Sequence, residues 1–284
     1  MTVAHTLAAS VAFPAAVSCL ALALAWEGGM ALLDDRAIHR SYPRAGIYHL
    51  GRGWAGPDAL SAQRRRAIAK SATAAALLPT AFLPASRWTA AAALLCCGLA
   101  CVWILGDGSP RYTSICLLVL LAVIALNQAT VIALGSPPTA LTGVIASFFA
   151  TQMYLVAGIR KIRSPHFMSG GVLVDNIVYN AWQAAAGNRD FLPVPHPHRL
   201  TVLLPAPAFR TACRAAAVAT AGVEVTLGLG ALGLIPATAT VLLAVPTHLA
   251  FTAISPRRIV PFSTALLGLL LLATSHPLLT TMSG

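Results

Sequence analysis

Long apolar runs, separated by short polar segments, dominate the pattern of this chain. A membrane-spanning helix needs about 20 mainly apolar residues. The sequence meets this requirement about eight times, over residues 9–33, 67–86, 88–106, 113–134, 140–159, 213–232, 234–253 and 259–279. The breaks near Pro84 and Pro236 are short, so the second and third runs, and the sixth and seventh, could each form a close helical hairpin. The pattern predicts an all-α, polytopic transmembrane helical bundle that forms one integral membrane domain over residues 1–284.

Composition excludes an ordinary soluble domain. Hydrophobic residues make up 57% of the chain and charged residues only 10%, whereas about a quarter of residues are charged in typical soluble domains. The formal net charge is +11, but the basic residues occur in short clusters between apolar runs and form no continuous basic surface. We therefore expect membrane lipid, and no nucleic acid, among the partners.

The distribution of basic residues predicts how the bundle is oriented. With eight spans, loops 34–66, 107–112, 160–212 and 254–258 lie on one side and hold or adjoin every lysine and arginine except Arg87. The positive-inside rule makes that side cytoplasmic and places both termini outside the cell membrane. The loop 34–66 is predicted to be cytoplasmic or interfacial, with an amphipathic part on anionic headgroups. No lysine or arginine precedes the first run, which favours a retained span over a signal peptide.

Ionisable groups within the apolar runs are informative, because a charge at the helix centre costs about 2.5–3.5 kcal/mol. The candidates for a functional role are Glu27, the Asn127–Gln128 pair, Glu224 and His248. Each could fix helix packing through an interhelical hydrogen bond or could serve catalysis or ligand binding. Glu224 and His248 belong to consecutive runs and could face one interior cavity.

Lys161 is one of two lysines and ends the fifth run, beside Arg160. It could extend toward the headgroups as a simple anchor. Alternatively, it could act as a general base, because poor solvation disfavours the charged ammonium and leaves an amine that accepts a proton. The sequence leaves both interpretations open.

The remaining candidates for metal or redox chemistry are weak. His196 and His198 form an HxH pair in a proline-rich loop, which supplies two of the three or four ligands a zinc site needs. The six cysteines form no CxxC pair, and we interpret them as small apolar side chains. No metal site is predicted.

The segment Tyr154-Leu155-Val156-Ala157-Gly158-Ile159-Arg160-Lys161-Ile162, with a glycine at 170 or 171, resembles the Y-x-x-A-G-[IV]-x-K-[LI] segment of the vitamin K-dependent gamma-carboxylase-like proteins, the HTTM (horizontally transferred transmembrane) domain family. Glu224, His248 and Phe262-Ser263 follow in a similar order, so that the HTTM-like core covers residues 100–275.

This resemblance implies an HTTM-type bundle in which Lys161 is the base that deprotonates a reduced naphthoquinone of the vitamin K or menaquinol type. Oxygenation of that quinol to an epoxide would then generate a strong base. Three features depart from the family. Tyr112, Thr113 and Ser114 stand where the family has a catalytic histidine, and the tryptophan usual after the lysine segment is replaced near His166-Phe167. The large extramembrane region that holds a peptide substrate is missing. Protein carboxylation is therefore not expected.

The resulting hypothesis is an integral membrane enzyme that acts on a lipophilic substrate in an intramembrane cavity. Lys161, Glu224 and His248 are its predicted catalytic residues, and Tyr154, Arg160, Asn127 and Tyr112 its predicted substrate- or cofactor-binding residues. One alternative is an accessory protein for maturation or export of a small toxin-like peptide. Another is a non-enzymatic transporter or scaffold, with the proline-interrupted runs at Pro236 and Pro246 as gating elements.

Overall fold

The computed structural model describes residues 3–41, 48–50, 53–55, 57–84, 86–107, 111–137, 139–187, 191, 195–254 and 256–275. Over these residues the chain is almost entirely helical. The first part contains helix α1 (Val3–Ser41), a two-stranded antiparallel hairpin of β1 (Tyr48–Leu50) and β2 (Gly53–Ala55), and helices α2 (Pro57–Thr80), α3 (Arg87–Asp107) and α4 (Arg111–Leu134).

The second part begins with α5 (Thr139–Ile162), which is followed by the short helix α6 (Pro165–Met168), α7 (Gly171–Ala185) and α8 (Pro197–Leu203). The chain then forms α9 (Pro207–Leu232), α10 (Ala237–Ile254) and α11 (Pro256–Ser275). An all-helical fold was predicted, and the described residues confirm it apart from the small hairpin.

Five helical segments are long and apolar enough to cross a membrane, as judged by length and composition. They are Val11–Arg36, Arg87–Gly106, Tyr112–Leu134, Ala140–Ile162 and Pro207–Leu232. Two shorter apolar helical segments, Ala237–Thr252 and Ile259–Ser275, coincide with the last two predicted runs. These helices support a multi-pass membrane protein, while the count of eight spans stays a prediction.

The structure corrects the two long predicted loops. Helix α1 continues through Ser41 and α2 begins at Pro57, so both ends of segment 34–66 are helical. The segment 160–212 holds the end of α5, all of α6, α7 and α8, and the start of α9. A search for apolar runs does not find these helices, because many of their residues are polar. Helices at the ends of a membrane bundle need no continuous apolar stretch.

Local sequence explains several helix ends around the later site. Helix α6 starts with a proline at its first position, and Ser164 Oγ caps it by accepting a hydrogen bond from the backbone N–H of Phe167 at 3.2 Å. Helix α9 ends at Gly233, which adopts a left-handed conformation with φ 89°. The turn that this glycine makes separates α9 from α10 and confirms the predicted break near Pro236.

The apolar core lies where the long helices meet. Helix α11 packs against α1, α4, α5 and α10, and α5 packs along most of its length against α9. Fully buried leucines of four helices fill the centre, among them Leu20, Leu120, Leu227 and Leu269. Helix α5 therefore lies between α9 on one side and α11 on the other.

Candidate functional site

Helix α5 presents a stripe of small and polar residues to α9. Its positions alternate in steps of four and three residues, which keeps them on one helix face. They are Ser147, Thr151, Tyr154, Gly158 and Lys161.

Contacts along this stripe show that α5 and α9 are antiparallel. Ser147 Oγ donates a hydrogen bond to the Ala231 carbonyl, and Thr151 Oγ1 donates to the Gly228 carbonyl at 3.5 Å. A Cβ added to Gly158 would lie 2.8 Å from Val225 Cγ2. The small side chains thus let the two backbones approach closely, as is common between membrane helices.

At the end of this interface, Lys161 Nζ donates a hydrogen bond to Glu224 Oε1 and forms an ion pair with it. The Lys161 side chain is 26% exposed and that of Glu224 only 8%. A lysine at a helix end could have extended outward to the headgroups, but here it extends to a carboxylate on the neighbouring helix. The structure therefore brings together two of the three residues predicted to be catalytic.

The second carboxylate oxygen of Glu224 is buried. This Oε2 makes no hydrogen bond with any of the residues that the structure describes. Leaving a buried polar atom unpaired costs about 1–3 kcal/mol, and more for a charged group. Glu224 thus keeps one acceptor available for a group that carries a hydrogen-bond donor.

An aromatic ring covers the amine of this pair. Phe167 of α6 is buried against Ala217 and Ala221 of α9, and Lys161 Nζ lies 5.5 Å from the centre of its ring. This distance is within the range of a cation–π interaction. Sequence reasoning did not identify Phe167, since a single phenylalanine in a predicted loop carries no distinctive signal.

His248 is the centre of a second hydrogen-bonded group. Its Nε2 lies 2.6 Å from the Tyr154 hydroxyl, and its Nδ1 lies 3.0 Å from Ser263 Oγ. All three side chains are buried, and they join α5, α10 and α11. If Tyr154 donates to Nε2, then Nδ1 carries the proton and donates to Ser263; in the other tautomer both bonds reverse. Such a group can pass a proton in either direction.

The two groups meet on α5. Tyr154 and Lys161 are seven residues apart, which places them two turns from each other on one face. Lys161, Glu224, Tyr154 and His248, all predicted from sequence, thus lie in one region of the bundle, and Ser263 joins them.

The other predicted binding residues lie outside this arrangement. Arg160 is exposed beside Lys161, and Tyr112 is 64% exposed at the start of α4. Asn127 is buried on α4, four turns after Tyr112. Among the described residues, no side-chain hydrogen bond or ion pair connects these three to Lys161, Glu224 or His248.

Two further polar clusters do not extend the site. His196 Nδ1 and His198 Nδ1 lie 2.7 Å apart on the surface, and no group of three histidine, cysteine or acidic side chains that could hold a metal occurs in the described part of the chain. Glu27 of α1 accepts a hydrogen bond at 2.8 Å from Lys70 of α2. That pair was not predicted, because nothing in the sequence indicates that these two residues meet.

Comparison with known proteins adds no assignment. The chain matches no protein-family model, no curated protein and no solved structure.

Proposed function

We propose that this chain is an integral membrane enzyme that performs acid–base chemistry on a hydroxyl group of a lipophilic substrate at the Lys161–Glu224 pair. The observation that carries the proposal is the buried, unpartnered Oε2 of Glu224. An ion pair that served packing alone would be expected to satisfy both carboxylate oxygens, because an unpaired one lowers stability. A free acceptor next to an amine is instead suited to a substrate hydroxyl.

The ion pair favours a specific division of roles. Sequence alone assigned the base to Lys161, but in the ion pair its ammonium donates to Glu224 and has no lone pair to accept a proton. Glu224 Oε2 is then the atom that takes the substrate proton. The Lys161 ammonium lies beside it and stabilises the oxygen anion that forms, as fixed charges do in many active sites.

Tyr154, His248 and Ser263 can complete the cycle. The proton on Glu224 must leave before the next turnover, and the hydrogen-bonded group begins at Tyr154, two turns from Lys161 on the same face of α5. We expect this group to accept that proton and to release it toward α11. Within the group, the order Tyr154, His248, Ser263 follows from the hydrogen bonds described above.

A reduced naphthoquinone fits this set of groups. Its hydroxyl can donate to Glu224 Oε2, and its flat apolar ring suits a surface that includes the Phe167 ring. When bound, it supplies an acidic hydroxyl and the electrons for a reaction with oxygen. The fit supports the substrate that the HTTM-like segment implies, and it applies equally to other lipophilic molecules with an acidic hydroxyl.

The test is to incubate the purified protein in lipid vesicles with a reduced naphthoquinone and oxygen, and to measure the quinone epoxide by mass spectrometry. Glu224→Gln should lower the initial rate by about 10²–10⁴-fold, the usual contribution of a general base. Lys161→Met should lower it as well. Arg163→Gln is the matched control, since Arg163 is exposed just beyond α5.

Each variant must keep the circular dichroism spectrum and melting temperature of the parent for its rate to count. Absence of epoxide with the parent protein would reject the naphthoquinone. Epoxide at the parental rate with folded Glu224→Gln and Lys161→Met would reject the site. Transport of the quinol without conversion, unchanged in both variants, would favour a transporter instead.

A further inference from the structure

Helix α7 lies at the end of the bundle where α5 ends and α9 begins. The candidate spans Ala140–Ile162 and Pro207–Leu232 run antiparallel against each other, so residues 163–206 leave and return on the same side. Helix α7 has 15 residues, a length of about 22 Å at 1.5 Å per residue. That is shorter than the hydrocarbon core of about 30 Å, and α7 is not among the candidate spans.

The two sides of α7 differ in exposure. Asn180 and Ala181 are buried, whereas Tyr179 and Trp182 are 51% and 71% exposed and lie one turn apart on the opposite side. The Tyr179 ring also makes an edge-to-face contact with the buried Phe191, with 5.6 Å between ring centres. Asp175 continues the exposed side one turn earlier. A large indole and a phenol beside a charged residue form a surface that is apolar in its body and polar at its edges.

A side-chain contact joins helices α6 and α7, and the turn between them packs against α9. His166 Nε2 of α6 lies 2.9 Å from Asp175 Oδ2 of α7. Between the two helices Gly170 has φ +84°, and a Cβ there would lie 2.6 Å from the backbone nitrogen of Arg214 on α9. Only glycine permits this turn and this close approach. These contacts hold α6 and the start of α7 against α9.

We propose that α7 binds the lipid headgroup layer through Tyr179 and Trp182. Tryptophan and tyrosine are enriched at membrane interfaces because their rings suit the boundary between water and acyl chains. The location of α7 beside two spans puts these side chains at that boundary. The lipid contact does not depend on the proposed enzymatic function.

The experiment is depth-dependent quenching of tryptophan fluorescence in vesicles of phosphatidylcholine and phosphatidylglycerol. Some vesicles contain phosphatidylcholine brominated near the glycerol backbone, and others contain phosphatidylcholine brominated near the end of the acyl chain. Subtracting the emission of Trp182→Phe from that of the parent isolates Trp182. We expect a blue-shifted component that the shallow bromine quenches more strongly than the deep one.

Trp26→Phe is the matched control, since Trp26 lies near the middle of the candidate span Val11–Arg36 and its indole nitrogen is buried. Its difference spectrum should lack preferential quenching by the shallow bromine. Three results for Trp182 would overturn the proposal. Quenching by aqueous iodide alone would place it in water, stronger quenching by the deep bromine would place it among the acyl chains, and quenching by neither would mean that protein covers it.

Discussion

Lys70 on α2 donates a hydrogen bond from Nζ to Glu27 Oε2 on α1 at 2.8 Å, and the two side chains are only 3% and 14% exposed. The chain contains two lysines and two glutamates. The structure pairs each lysine with a glutamate of another helix, Lys70 with Glu27 and Lys161 with Glu224. Charges that would be costly alone among apolar helices are thus compensated in pairs.

Removing one member of the Glu27–Lys70 pair should be more harmful than removing both. Lys70→Met leaves a carboxylate without its ammonium partner, and we expect a loss of about 3–5 kcal/mol in the free energy of unfolding. The double variant Lys70→Met/Glu27→Leu should recover most of that loss. The measurement is unfolding in detergent micelles by titration with sodium dodecyl sulfate. If the loss of unfolding free energy in the double variant equals the sum of the losses in Lys70→Met and Glu27→Leu, the result contradicts a direct pairing.

Close contact between α5 and α9 predicts different effects for two glycines of α9. A Cβ at Gly228 would lie 2.6 Å from Leu155 Cγ, whereas a Cβ at Gly222 would meet nothing within 4 Å. Gly228→Ala should therefore cost about 1–3 kcal/mol through overpacking. Gly222→Ala should be neutral or slightly stabilising, because alanine favours a helix over glycine. Equal melting temperatures for the two variants would contradict this packing.

The Tyr154–His248 hydrogen bond predicts a stability difference between two tyrosines. Tyr154→Phe removes the hydroxyl and leaves a buried His248 nitrogen unpaired, which should cost about 1–3 kcal/mol. Tyr112→Phe is the control, because Tyr112 is exposed and its loss of a hydroxyl should change stability by less than about 0.5 kcal/mol. Thermal unfolding in one detergent compares them, and a Tyr154→Phe protein as stable as the Tyr112→Phe protein would argue against the bond.

The two lysines should react differently with amine reagents. Lys161 has a 26% exposed side chain, whereas Lys70 is 3% exposed. Treatment of the folded protein with phenyl isothiocyanate should modify Lys161 first, and peptide mass spectrometry can locate the label. After denaturation in sodium dodecyl sulfate both lysines should be modified. Labelling of Lys70 as fast as Lys161 in the folded protein would show that the first ion pair is open to solvent.

Much of the helical framework could be predicted from sequence. The runs 88–106, 113–134 and 140–159 agree with α3, α4 and α5 to within three residues at each end. Helices α6, α7 and α8 could not be predicted in this way, because their residues are mixed polar and apolar and were assigned to a loop. The same applies to the ends of α1 and α2 that carry charged residues.

The sequence predicted which residues belong to the candidate site better than it predicted how they are arranged. Lys161, Glu224, His248 and Tyr154 were identified because polar residues in apolar helices are rare, and each has a side-chain hydrogen-bond partner in the structure. The same argument selected Asn127, which has no side-chain hydrogen bond to the site among the described residues. Rarity indicates that a residue has a role, but it does not indicate which partner the residue meets.

By itself, the sequence determined that this chain is a bundle of apolar helices and that its few buried charges require compensation, since both follow from composition and local periodicity. Only the tertiary structure decided which charges compensate each other. Lys161 could have extended to the headgroups, and it pairs with Glu224 because Gly158 and Gly228 let α5 and α9 come close together. Helix–helix approach depends on contacts between residues far apart in the chain, and no local pattern encodes it.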